Sequence, residues 1–230
     1  MAELEILQRN DRAVPVECWS CFVAQNESTL FCASCSRIQP PLRMDYFQVF
    51  QLPRQLEVDL EKLEKEFYRL SRKLHPDRYA RATESEREWS LADTALVNDA
   101  YRTLRDPIRR TEYLLKLAGE AIGEEHAGKL DESRGSRVPA DLLEEVFELN
   151  MQLDELRTGE TAPRGEVEAA EKKFDAMLAA VNQDLERQWA AWDHGDAAEK
   201  AAAQKQMVAL LDRHRYLANL LRDVKQVLGA

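Results

Sequence analysis

Pro76 constrains this chain more than any other residue, because it stands between two stretches patterned for helix. Before it, Leu60, Leu63, Phe67, Leu70 and Leu74 recur at spacings of three and four, which places them on one helical face. After it, from about 85 to 104, Leu91, Ala95, Val97, Ala100, Tyr101 and Leu104 run as a second helical pattern. Pro76 disfavours helical geometry at His75 and has no backbone donor, so the first helix stops there. Thr83 with Glu86, or Ser85 with Glu88, can form the capping box that starts the next one. The expected product is an antiparallel helical hairpin with His75-Pro76-Asp77 in the loop at its tip.

The flanks of this hairpin are readable in the same way. Asp45 caps a short helix through Phe50 that Pro53 closes, and Asp59 is the expected N-cap of the long helix to Leu74. On that helix Lys62, Lys65, Arg69, Arg72 and Lys73 project opposite the apolar stripe. Glu61, Glu64 and Glu66 dilute the early half, so positive charge concentrates beside the tripeptide. Such residues ordinarily make a solvated face; the functional reading is a cationic surface that steers an acidic partner. Asp106-Pro107 supplies the cap and first turn of a further helix, which Gly119 stops.

With 32% charged residues and only eight Gly and eight Pro in 230, the composition suits a helical protein. A net charge of −10 argues against general nucleic-acid binding. No apolar run approaches the ~18 residues of a membrane span. The first dozen residues have neither a signal-peptide apolar core nor an Arg-rich, acid-poor presequence pattern, so the expected location is cytoplasmic.

All four cysteines fall in Cys18-Trp19-Ser20-Cys21 and Cys32-Ala33-Ser34-Cys35, with ten residues between the pairs. In a reducing compartment that clustering favours metal over disulfide. Each pair offers two thiolates from one tight turn, and two such knuckles complete a tetrahedral shell for one structural zinc per chain. The segment is too small to bury a core, so the metal would hold it folded. Trp19, Phe22 and Phe31 are candidates to cover the cluster. Redox-active dithiols are the alternative.

Three long amphipathic stretches follow a Gly-containing polar connection. The first, about 139–156, carries Leu142, Val146, Leu149, Leu153 and Leu156. The second carries Val167, Ala170, Phe174, Met177, Val181, Leu185 and Trp189, and the third runs from Met207 to Leu228. Joined by short breaks, they predict an antiparallel three-helix bundle. Leu143, Phe147 and Met151 form a second stripe on the first of them. Pattern alone favours a broad core over an exposed recognition patch. The expected fold class is all-α: a small zinc-ribbon-like module over 1–40, a hairpin domain over 41–119, a linker over 120–138 and the bundle over 139–230.

The hairpin and its tripeptide resemble the J domain of DnaJ-like co-chaperones. Met44-Asp45-Tyr46-Phe47, Val97-Asn98-Asp99-Ala100-Tyr101, Thr103-Leu104-Arg105-Asp106-Pro107, Arg110-Thr111-Glu112-Tyr113-Leu114-Leu115, Leu153-Asp154-Glu155-Leu156 and Arg215-Tyr216-Leu217 narrow the resemblance. Over about 44–230 the chain is similar to the HscB-type J-proteins of iron–sulfur cluster assembly. General DnaJ proteins carry their zinc modules after the J domain, behind a Gly/Phe-rich region; here the cysteines precede it.

The resemblance implies a non-enzymatic adaptor that binds an IscU-type scaffold and stimulates ATP hydrolysis by an HscA-type DnaK-like chaperone, promoting cluster transfer. His75, Pro76 and Asp77 would then contact the ATPase, supported by Arg69, Arg72, Lys73 and Arg78. Leu143, Phe147, Glu148 and Tyr216 would meet the scaffold, with Met151 at the patch edge. That reverses the pattern-only preference for a broad core. Eukaryotic members carry a similar tetracysteine segment, which strengthens the zinc reading and leaves open whether the module dimerises, meets the scaffold or packs on the J domain. A J-protein for another client and a C-x-x-C thiol oxidoreductase are the competing functions.

Overall fold

The computed structural model describes residues 16–25, 29–120, 122, 140–158 and 164–229. The chain divides into two compact units, Met1–Glu120 and Ala121–Ala230. Both are helical, apart from a two-stranded antiparallel ribbon in the first, where β1 (Val16–Glu17) pairs with β2 (Ala24–Gln25). Among the described residues no helix is long and apolar enough to cross a membrane.

In the first unit, α1 (Tyr46–Val49) is followed by α2 (Leu60–Leu74), a 3-10 turn at Pro76–Tyr79, α3 (Glu84–Arg105) and α4 (Pro107–Leu117). The anticipated caps form. Asp45 and Gln48 make a capping box, Asp59 accepts from the Lys62 amide, and Asp106 accepts from Ile108 and Arg109. Of the two candidate boxes before α3, Thr83 with Glu86 is the one made. Gly119, at φ +91°, ends α4 in the left-handed region that a glycine enters without cost. Leu63, Leu70 and Leu74 of α2 and Val97, Ala100 and Leu104 of α3 are buried where the two helices pack, and Phe67 stacks on Tyr101 with ring centres 4.0 Å apart. Tyr46 stacks on Tyr113 at 4.3 Å and its amide donates to the Tyr113 hydroxyl, tying α1 to α4.

The apolar pattern misassigns three positions: Leu60, Leu91 and Ala95 are exposed. The buried stripe of α3 is Glu86, Ser90, Asp93, Val97, Ala100 and Leu104, a spacing of four and three that keeps one helical phase throughout. In its first half Glu86 closes the capping box, and Ser90 faces the end of α2, where a carbonyl needs a donor. The Ser90 hydroxyl donates to the Leu74 carbonyl at 2.6 Å, and the Thr94 hydroxyl donates to the Ser90 carbonyl at 2.7 Å.

Asp93 lies in this stripe 1% exposed, and neither carboxylate oxygen has a hydrogen-bond partner. Burial lifts its pKa from 3.8 to about 7. The folded state therefore holds a proton that the unfolded state releases, and stability falls as pH rises from about 4 through about 7. Above that window the penalty is fully present. Asp93→Asn keeps the shape and removes the charge. It is expected to stabilise the first unit at pH 8 by on the order of 2–4 kcal/mol, raising its melting midpoint by about 5 °C or more. At pH 4 the gain should vanish. Thermal melts of the two chains across this pH range are the measurement; a gain independent of pH would refute the charge explanation.

In the second unit a 3-10 turn at Ala140–Leu142 leads into α5 (Leu143–Thr158), followed by α6 (Arg164–His194) and α7 (Ala197–Leu228). Leu142, Val146, Leu149 and Leu153 meet Val167, Phe174 and Val181 of α6 and Leu217, Leu220, Leu221 and Val224 of α7 in one core. This is the expected three-helix bundle. Asp196 and Glu199 form a capping box at the α6–α7 turn. Arg213 grips Asp141 with two hydrogen bonds of 3.1 and 2.8 Å, fixing the entry to α5 against α7. The anticipated linker over 120–138 lies outside the described residues except for Glu120 and Ile122.

Candidate functional site: a helix-tip loop, a four-sulfur cluster and an exposed apolar stripe

The loop is held from below and open above. Leu74, the last residue of α2, is buried, and its carbonyl takes the Ser90 hydroxyl. His75, Pro76, Asp77 and Arg78 are all exposed. The Asp77 amide donates to His75 Nδ1 at 3.3 Å and the Arg78 amide to the His75 carbonyl at 2.9 Å, so the tripeptide folds on itself. The Asp77 side chain is 90% exposed, with one carboxylate oxygen 3.5 Å from His75 Nδ1. Behind them Tyr79 is half-buried, and burial raises its hydroxyl pKa.

Of the four flanking cations, Arg69 is tied to Glu66 and holds that carboxyl below its ordinary range. Arg72 donates to the Tyr68 carbonyl at 3.2 Å. Lys73 lies 5.2 Å from the centre of the Phe31 ring. All four remain exposed, forming a positive surface beside a loop that presents one carboxylate.

The four cysteine sulfurs lie within 4.8 Å of one another. Cys18 and Cys35 are 3.7 Å apart at sulfur, and so are Cys21 and Cys32. A tetrahedron with metal–sulfur bonds of ~2.3 Å has edges of about 3.8 Å, and the two 3.7 Å pairs match a pair of opposite edges, so the donor set suits a tetrahedral thiolate metal. Disulfide sulfurs bond at ~2.05 Å, and all four cysteines are free. Amides of Ser20, Ser34 and Cys35 point at Cys18 or Cys32. Burial opposes ionisation of Cys18, yet bonds from the Cys21 and Ser20 amides and the neighbouring thiols bring its pKa down to about 6. The Cys35 amide, opposed by burial, likewise lowers Cys32. The Arg37 amide favours the Cys35 thiolate, but burial and the other three sulfurs outweigh it and push that pKa up to about 11. Four thiolates this close repel one another, and a divalent cation resolves the conflict.

The knuckles are built alike. In each, the residue following the second cysteine, Phe22 or Ser36, takes φ +59° and donates its amide to the carbonyl of the first cysteine at 2.9 Å. Gln25 reaches across to the Cys32 sulfur at 3.4 Å, and Gln39 reaches back to the Cys18 sulfur at 3.5 Å. Both glutamines are buried, and both orient a sulfur of the opposite knuckle. They were missed as site residues. The signal was present: Cys-x-Ser-Cys-x-x-x-Gln occurs at 18–25 and again at 32–39. The proposed covering aromatics need correction, since Phe22 is 75% exposed and covers nothing, a consequence of the left-handed turn that carries it. Trp19 and Phe31 face the helical hairpin instead.

On α5, Leu143, Phe147 and Met151 are 54%, 67% and 51% exposed. They sit one turn apart along the side facing away from the core, next to the exposed Glu148. Tyr216 of α7 is half-buried against the same core.

Residues 45–113 match the family model of the DnaJ domain, and residues 138–225 match that of the HSCB C-terminal oligomerisation domain. The iron–sulfur cluster co-chaperone protein HscB of Mus musculus is 31% identical over 219 residues, spanning 93% of this chain and 83% of its own. The chain belongs to the HscB family. The crystal structure of human co-chaperone HscB superposes with a TM-score of 0.66 at 27% identity, covering 92% of this chain and 98% of that one. Chaperone HscB from Vibrio cholerae gives 0.58 at 29% identity, over 81% of this chain and 98% of its own. This HscB-type chain is therefore a co-chaperone of iron–sulfur cluster assembly, with a tetracysteine module ahead of its J domain.

Proposed function

We propose that this HscB-type chain binds an IscU-type scaffold through its bundle and stimulates ATP hydrolysis by an HscA-type DnaK-like chaperone through its J domain. The observation that carries the reading is the loop: His75, Pro76 and Asp77 stand exposed at a hairpin tip whose base is pinned by Ser90. A loop so held presents one fixed carboxylate and imidazole at little entropic cost on binding. Arg69, Arg72, Lys73 and Arg78 supply the field that steers an acidic ATPase surface. The bond-breaking chemistry belongs to the chaperone; this chain shifts that partner between states. The scaffold would rest on Leu143, Phe147 and Met151 with the neighbouring Glu148, and on Tyr216 of α7. In this reading the working parts are a module over 1–40, a J domain over 41–119, a linker over 120–138 and a client-binding bundle over 139–230.

The test is single-turnover ATP hydrolysis by the cognate chaperone, with and without this protein and its scaffold. Stimulation of at least about ten-fold that rises further with scaffold is expected. No stimulation by the full chain removes the reading.

Zinc is the metal this thiolate set suits, and its role would be structural, since four protein sulfurs leave no open position. The expected content is one zinc per chain by elemental analysis. Stripping it should abolish the ordered signals of 18–25 and 29–39 and leave the bundle's helical content unchanged. Disulfide-reductase turnover by the zinc-loaded chain would instead favour a thiol oxidoreductase.

A further inference from the structure

The two metal knuckles are near copies, and they differ where the module meets the J domain. Each residue of the first has a counterpart fourteen positions on: Glu17 with Phe31, Trp19 with Ala33, Val23 with Arg37. Of each pair one member touches the helical hairpin: Phe31, Trp19 and Arg37. Trp19 sets its ring at 71° to that of Trp89 with centres 5.6 Å apart, Arg37 reaches Glu86 at 3.5 Å, and Phe31 lies against the Lys73 ammonium. The Trp19 indole also donates to the Ile38 carbonyl at 2.7 Å, and the Arg37 guanidinium stacks over the Trp19 ring. The counterparts Glu17, Ala33 and Val23 are exposed. A duplicated metal fold needs only its cysteines, turns and glutamines. These departures from the repeat serve the contact.

The hairpin partners bracket the loop. Lys73 lies two residues before His75, Glu86 closes the capping box that starts α3, and Trp89 follows on the next turn. On the module side Trp19 adjoins Cys18, Phe31 adjoins Cys32, and Arg37 is two residues beyond Cys35. Folding of the knuckles about a metal therefore sets the docking side chains, and those hold both ends of the loop.

We propose that the metal-loaded module clamps the His75-Pro76-Asp77 loop, with Trp19, Phe31 and Arg37 as positioning residues for Lys73 and for the first two turns of α3. The coupling is reciprocal: whatever metal binding does to order the loop, docking does to retain the metal. Its effect on ATPase stimulation rests on the function proposed above; the coupling itself does not.

The experiment uses the full chain carrying one equivalent of zinc, and the same chain stripped of it. Amide hydrogen exchange is read at 77–80, and zinc release is followed with a chromogenic chelator. Exchange at Arg78 and Ala80, whose amides bond back to His75 and Asp77, is expected to quicken at least about five-fold on stripping. Trp89→Ala touches no cysteine, yet it should release zinc at least about five-fold faster. Should that variant lose the hairpin fold, Arg37→Ala keeps the test, since it removes one half-exposed guanidinium. With zinc still bound it should quicken loop exchange about two- to five-fold, the worth of one charged or cation–π contact. Equal exchange with and without zinc, or a loop in zinc-bound Arg37→Ala that exchanges like the parent's, overturns the clamp. A loop that tightens with zinc while the ATPase ignores the protein in both states supports the clamp and refutes the proposed function.

Discussion

Asp77→Asn is expected to cut stimulation of the chaperone's ATPase by at least about ten-fold while leaving scaffold binding and thermal stability unchanged. The side chain is 90% exposed, and the turn is held by the Asp77 amide and the His75 carbonyl, neither of which the substitution alters. Surface changes of this kind stay within about 0.5 kcal/mol of the parent in stability. Asn keeps the volume and one acceptor oxygen, so what disappears is a single negative charge at the hairpin tip. A melting midpoint within about 2 °C of the parent rules out a folding defect. Stimulation that survives the change would show that the carboxylate is not the contact. Arg72→Ala and Lys73→Ala should weaken the half-saturating concentration in a salt-dependent way and leave the maximal rate intact, because steering charges act on association.

The sequence revealed the hairpin because helix signals there are redundant. Proline at 76, a capping box at Thr83 and Glu86, and the apolar spacing from Leu63 to Leu74 agree, and local agreement of this kind specifies an element before any tertiary contact is known. The same reasoning failed on the first half of α3, where hydrophobicity pointed to Leu91 and the fold buries Ser90 and Asp93. Nothing local marks a serine as buried. Its value lies in the Leu74 carbonyl sixteen residues earlier, which becomes a neighbour only once the hairpin closes. Gln25 and Gln39 differ in kind, because their signal was a repeated motif, and comparing the two cysteine pairs beyond their own four positions would have exposed it. The docking of Trp19 on Trp89 had no such signal. Two aromatic residues seventy positions apart carry no mutual information in one sequence.

Opposite outcomes on α5 follow from one geometric fact. Leu142 and Val146 are buried, whereas Leu143 and Phe147, one residue further on in each case, point about 100° away and are more than half exposed. Exposed apolar side chains in line on a helix are a liability in a lone protein and an asset at an interface. A broad core is not needed here, because Leu142, Val146, Leu149 and Leu153 already fill the groove between α6 and α7.

Changing Leu143 and Phe147 together to Ala is accordingly expected to weaken scaffold binding by about 100-fold or more with little change in stability. A buried apolar anchor at an interface is worth about 2 kcal/mol or more, and two adjacent anchors that exclude water from each other's contacts exceed that singly. Neither residue fills the core, so the bundle should melt within about 2 °C of the parent. The matched control is Val146→Ala with Leu149→Ala, both side chains being buried, which should cost several kcal/mol of bundle stability. Calorimetric titration of the scaffold into each chain, with a melt of each, separates the cases. Loss of affinity in a chain that melts like the parent assigns the stripe to the client. Unchanged affinity removes Leu143 and Phe147 from the interface. The double variant should also leave scaffold-independent stimulation of the ATPase intact, since the loop proposed to address the chaperone lies in the other unit. Loss of that basal stimulation as well would mean that the two activities are not carried by separate surfaces.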